Sequence, residues 1–216
     1  MLNTSPSPDP AALSADGFRL HVGRRVAQLP PEKGEHGDHL LNPNLQKWVL
    51  ARAIRHAAVL IPVVERHKTL NVVLTKRTEH LASHSGQIAF PGGKVDHTDP
   101  SVEAAALREA DEEIALKPHE AELIGTLPVY HTGSGYRITP VIALIDPAAK
   151  LSPNPDEVEY IFEVPLAFLM EPSNHHRGSR EFQGSQRHYY EMPYGEHYIW
   201  GVPAGIIAMM HDRLFA

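Results

Sequence analysis

The six residues Arg108 to Glu113, READEE, place the carboxylates of Glu109, Glu112 and Glu113 at i, i+3 and i+4, so in a helix all three leave from about one face. Like charges at that spacing destabilise a helix by ~0.2–0.5 kcal/mol per pair, and acids in a last turn oppose the macrodipole by ~0.3–1 kcal/mol each. A divalent cation reverses the sign of both effects. Magnesium suits such a cluster, because it takes one or two carboxylates and leaves its other positions to water and substrate phosphates. For an isolated Glu-Glu pair, a solvated acidic face is the competing reading. Here the acids do not stand alone. Upstream lies Leu81 to Gly93, LASHSGQIAFPGG, whose glycines let backbone groups approach a phosphate without Cβ interference. By itself this stretch is open to three readings: a tight turn, a metal site on His80 and His84, or a phosphate-facing loop. The two stretches together read as a metal-diphosphate site.

The elements that must position these groups follow from local pattern. Asp99 as N-cap and Pro100 as first helical residue open the acid-bearing helix, and Pro118 stops it, which predicts a helix over roughly 100–116. Val102, Ala106, Ala110 and Ile114 form a narrow stripe of mostly small side chains that lets it lie close against a sheet. AAVLIPVVE and LNVVLTKR are β-branched runs parted by the polar RHKT, and read as a hairpin. QIAF, AELIGTLPVY, YRITPVIALI, EVEYIFEVPL and HYIWG read as further strands, and VPAGIIAMMHDRLF as a C-terminal helix. Strands outnumber dispersed helices, so the class is α/β or α+β with a mixed sheet covered on both faces. Residues 1–45 read as an N-terminal arm with one short helix, from Asp16 to Gln28, and residues 46–216 as the domain that carries the chemistry. PSNHHRGSREFQGSQRH, residues 172–188, reads as a mobile loop.

Bulk properties exclude several classes. The chain of 216 residues suits one domain with an extension, and its formal charge of -6 argues against a nucleic-acid binder working by bulk electrostatics. With no cysteine there is no disulfide framework, no thiolate zinc site and no cysteine nucleophile. The N-terminus lacks the basic and apolar regions of a secretory signal, and the longest apolar run is Ala57 to Val64, so a soluble cytoplasmic protein without membrane partners is expected. Most of the 15 histidines read as surface and loop residues. Gly92-Gly93-Lys94 is no P-loop, because Ile88 and Val95 stand where glycine and Ser or Thr are required, and HLASH lacks the glutamate of H-E-x-x-H.

PGGKVDHTDPSVEAAALREADEEIAL resembles the Nudix box, G-x5-E-x7-R-E-U-x-E-E-x-G-U, with U a bulky aliphatic residue. Gly93 matches its first glycine, Asp99 stands at its early glutamate, and Arg108, Glu109, Glu112, Glu113 and Leu116 match its second half. Ala110 fills the first U position, Ala115 replaces the second glycine, and eight residues rather than seven separate Asp99 from Arg108. LTKRTEHLASHSGQIAFPGG is similar to the segment that marks the coenzyme A diphosphatases of that family, through Leu74, Thr75, Gly86, Phe90, Pro91, Gly92 and Gly93; Ala82 stands where that subgroup commonly has arginine. The resemblance covers about residues 55–213.

It implies an α/β/α sandwich and hydrolysis of the diphosphate of coenzyme A or a derivative, giving 4′-phosphopantetheine and adenosine 3′,5′-bisphosphate. The alternative is ADP-ribose, NADH or another nucleoside diphosphate derivative; a non-catalytic binding module would have eroded acids, whereas all three are present. The implied cofactor is Mg2+, with Mn2+ as substitute. Glu109 and Glu113 are the implied metal ligands, with Glu112 additional or acting through water and Gly93 through its carbonyl. Glu109, Glu112 and Arg108 form the catalytic set, Arg108 by orienting Glu109, and the general base is Glu157, Glu159 or a box glutamate. Arg77, Gly92, Gly93 and Lys94 are expected on the substrate, with Arg137 a further cation on a segment facing the site. The expected partner is a small molecule, with a homodimer left open.

Overall fold

The computed structural model describes residues 8–29, 36–46, 49, 54–81, 84–182 and 184–216. Among them, nine strands form one mixed sheet: β1 (His36–Gly37), β2 (Arg55–Arg66), β3 (Thr69–Arg77), β4 (Ile88–Ala89), β5 (Gly92–Lys94), β6 (Ala121–Thr126), β7 (Tyr130–His131), β8 (Tyr136–Ile145) and β9 (Val158–Pro165). A separate antiparallel sheet consists of β10 (His176–Phe182), β11 (Ser185–Tyr194) and β12 (His197–Trp200). The helices include α1 (Ala15–Ala27), α2 (Val102–Ile114), the short α3 (Leu166–Leu169) and α4 (Val202–Leu214).

The central strand is β2. One edge runs parallel to β8, and the other is shared, its first part pairing with β5 at Ala57–Val59 and its last part with β3 at Val63–Arg66. Period-2 alternation divides its side chains between two cores. Ala58, Leu60 and Val64 pack with Val73, Val141 and Ala143 beneath α2, whose Ala105, Ala106 and Ala110 are fully buried and admit close approach. Ile61 and Val63 face the opposite core, built with Phe18 and Val22 of α1 and Ile206, Met209 and Met210 of α4. Helices on both faces of a mixed sheet give the covered sheet that the pattern predicts and the α/β/α sandwich that the resemblance implies. No helix among the described residues is long and apolar enough to cross a membrane.

Two expectations need correction. The acid-bearing helix starts later, at Val102, with Ser101 as N-cap accepting from the Ala104 N–H at 3.2 Å, and it ends at Ile114, where Ala115 turns left-handed at φ 57°. Asp99 is not its cap; a distant arginine occupies its carboxylate. The polar stretch expected as a mobile loop includes the β10–β11 hairpin, in which Arg177 lies opposite Tyr190 and Phe182 opposite Ser185. Its signal is hidden because its outer face is polar and Gly178 interrupts the pattern; that glycine leaves room for the Tyr189 ring, against which a Cβ would fall at 2.6 Å. The short helix expected in the N-terminal arm is α1, and it packs on the core: Phe18 and Val22 are fully buried, and His21 Nε2 lies 2.7 Å from the Leu214 carbonyl.

Candidate active site

The site is made where β5 crosses under α2. Gly93 pairs with Ala58 on the α2 side of the sheet, and a Cβ there would stand 2.4 Å from Glu109 Oε2, so the carboxylate rests on the glycine. Gly92 is required for a different reason: its Cβ would meet the Ala58 carbonyl oxygen at 2.5 Å and Val59 Cα at 2.7 Å, both backbone. The PGG corner thus serves close approach, of strand to strand at Gly92 and of strand to carboxylate at Gly93.

Glu113 is the most covered acid, 2 % exposed. Its Oε1 accepts from Arg77 Nη1 at 3.0 Å and its Oε2 from the Gly92 N–H at 3.2 Å. Burial nevertheless dominates and pushes its carboxyl up to about 7, opposed by Arg77 and Gly92 and reinforced by Glu157 and Glu109. Glu109 is likewise raised by burial, against the pull of Arg108. Arg108 organises the outer half. It grips Asp99 with two parallel bonds, Nε to Oδ1 and Nη2 to Oδ2, both 3.0 Å, while Nη1 reaches Glu109 at 2.9 Å and Glu112 at 3.1 Å and Nη2 reaches the Lys94 carbonyl at 3.1 Å. The guanidinium bonds hold the Asp99 carboxyl below its ordinary range.

The structure therefore brings Arg77, Gly92, Gly93, Arg108, Glu109, Glu112 and Glu113 together. Among the described residues no three acids or histidines already converge as a metal cage; the oxygens are held by arginines instead. Lys94 alternates with Gly93 along β5, so its exposed side chain takes the other face and its carbonyl is what reaches the cluster. Glu157 and Glu159 separate cleanly. Glu157 Oε2 lies 3.7 Å from Arg77 Nη2, beside the acids, whereas Glu159 pairs at 2.9 Å with Lys76, whose side chain alternates to the far face from Arg77. The histidines of the loop do not form a metal site: His80 Nε2 lies 3.2 Å from the Asp156 carbonyl, and His84 Nδ1 lies 2.9 Å from Gln87 Oε1. Ala82 lies outside the described residues. Sequence reasoning missed two links, Asp99 to Arg108 and Arg77 to both Glu113 and Glu157. The first had a signal, an acid at the box position of the early glutamate; the second joins residues 36 and 80 positions apart and had none.

The profile of the NUDIX domain family matches residues 54–207. A protein of Escherichia coli named "Uncharacterized Nudix hydrolase NudL" is 44% identical over 168 residues, 78% of this chain and 86% of the relative, and the protein of that name from Shigella boydii is 44% identical over the same shares. A crystal structure of a Nudix hydrolase from M. smegmatis, RenU, overlaps 53% of this chain and 73% of its own, with 24% identity and a TM-score of 0.45. The chain belongs to the Nudix hydrolase family.

Proposed function

We propose that the chain is a divalent-cation-dependent diphosphatase acting on coenzyme A or its derivatives, releasing 4′-phosphopantetheine and adenosine 3′,5′-bisphosphate. One observation carries the reading: Arg77 and Gly92, from the segment similar to the coenzyme A subgroup, are the groups that hold Glu113 of READEE. The two motifs build one site.

The donor set fits a hard cation. It offers only oxygens, and it includes a buried acid whose negative form burial disfavours even beside Arg77, and which a further positive charge would favour. Glu109 and Glu113 would hold the ion, with Glu112 and the Gly93 carbonyl in support; Mg2+ is the first choice and Mn2+ the substitute. A bound divalent ion supplies charge neutralisation at the phosphate oxygens and makes a neighbouring water more acidic. The chain's residues do the rest. Arg108 keeps Glu109 and Glu112 oriented, itself anchored by Asp99. Arg77 presents a guanidinium to an anionic substrate from the strand end beside Glu113. Glu157 is the best-placed base: it accepts the proton of the water whose oxygen bonds to phosphorus as the bridging P–O bond breaks and the other phosphate leaves.

The test is a comparison of kcat/KM in Mg2+ for coenzyme A, its 3′-dephosphorylated form, ADP-ribose and NADH. A preference for coenzyme A of about tenfold or more is expected, a difference of ~1.4 kcal/mol in transition-state binding. Equal turnover, or a preference for ADP-ribose or NADH, contradicts the reading.

A further inference from the structure

Three basic side chains stand in a row that the proposed reaction leaves unused. His131 of β7 lies opposite Arg137 of β8, and Arg137 lies opposite His56 of β2. The neighbouring pair Tyr130 and Ile138 packs into the α1–α4 core, whereas Ala58 and Val141 pack beneath α2. Alternation therefore puts His131, Arg137 and His56 on the α2 face, the face that carries Glu109. Gly93 lies opposite Ala58, two residues along β2 from His56. At ~3.3 Å per residue and ~4.8 Å per strand, Arg137 stands about 12 Å from Gly93 across the sheet, within the reach of one nucleotide.

The row is built for an anion. Arg77 and Arg108 are tied to carboxylates, but Arg137 meets no carboxylate among the described residues. It is partly exposed and lines a shallow pocket with His131, Thr132, Gly135 and Tyr136. The His131 ring stands edge-on to the buried His39, with centroids 6.1 Å apart, and Arg55 stacks 4.1 Å over the Tyr136 ring at the pocket rim. On a chain of net charge -6, Arg137 and Arg55 bring two guanidinium groups to this pocket.

We propose that His131, Arg137 and His56 form a second anion subsite that takes a phosphate monoester on the nucleotide half of the substrate, Arg137 supplying the planar, bidentate contact. The proposal rests on the diphosphatase reading. Calorimetric binding of adenosine 3′,5′-bisphosphate and of AMP to the full chain tests it. The bisphosphate is expected to bind about tenfold tighter than AMP; Arg137→Gln brings that ratio to within about twofold, and Arg137→Lys and the exposed-site His56→Gln lower it partly. Equal affinity in the wild type, absent binding, or a ratio that survives Arg137→Gln in protein with an unchanged melting curve overturns it. Turnover of coenzyme A by the wild type keeps the two claims apart. An Arg137-dependent ratio in a protein that leaves coenzyme A uncut supports the subsite and contradicts the function; cleavage with no such ratio overturns the subsite alone.

Discussion

Two adjacent glycines support the site in separable ways. The atoms nearest a Cβ on Gly93 are the end of the Glu109 side chain, so Gly93→Ala should fold, with the carboxylate that we propose as a metal ligand displaced and activity reduced about a hundredfold or more. A Cβ on Gly92 meets backbone, so Gly92→Ala should instead part β5 from β2 and cost about 1–3 kcal/mol of stability. Paired melting and activity measurements check the contrast; equal melting temperatures for the two variants would refute it. Glu113 supplies a pH dependence. Its folded value of about 7 lies above the ordinary 4.5, so the native state holds the extra proton and the group's contribution to stability is complete below about 4.5 and lost as pH rises through 7. His21 and His175, lowered by burial, act in the opposite sense below about 6.5. The clean readout is therefore the difference between metal-free wild type and Glu113→Gln, which should grow in favour of the variant from about pH 5 to pH 8. Saturating Mg2+ should raise the wild-type melting temperature more at the upper end of that range.

The interior of α2 was legible because its alanine stripe and its acids obey one period, and the hairpin strands β2 and β3 because β-branched runs bracket a polar turn. Its start was not. Asp99-Pro100 is a sound local start signal, but Arg108, nine positions away, takes the Asp99 carboxylate, and Ser101 is left to cap. Such competition between a cap and a tertiary ion pair is invisible to rules that read neighbours only. The end of α2 carries a cost that the motif comparison does reveal. Ala115 holds a left-handed conformation at φ 57° where the family pattern has glycine, and its N–H and that of Leu116 close the helix on Asp111 and Ala110. Ala115→Gly should stabilise the protein by about 1 kcal/mol, read as a higher denaturant midpoint at constant slope. The same strain, without glycine, recurs in the β2–β3 turn, where His67 and Lys68 are both at positive φ.

On the scale of the whole molecule, a mixed sheet covered on both faces followed from the order of strands and helices, whereas the packing of α1 on the core did not, because its flank is rich in Pro and Ser. Phe18→Ala should cost about 3–5 kcal/mol, as for a fully buried aromatic, and chemical denaturation would detect it readily. A loss below about 1 kcal/mol would contradict its place in the core. The site itself was half legible. Residues on one helix face were found from spacing, whereas Arg77 reached them through sheet topology. This topology joins the segment similar to the coenzyme A subgroup to the acid-bearing helix α2. Mass-resolved analysis of coenzyme A incubated in Mg2+ with wild type and with Glu109→Gln tests the proposed function most directly. The wild type should yield 4′-phosphopantetheine and adenosine 3′,5′-bisphosphate and a folded variant should leave coenzyme A intact; intact coenzyme A in both, or equal cleavage by both, would overturn the proposed function.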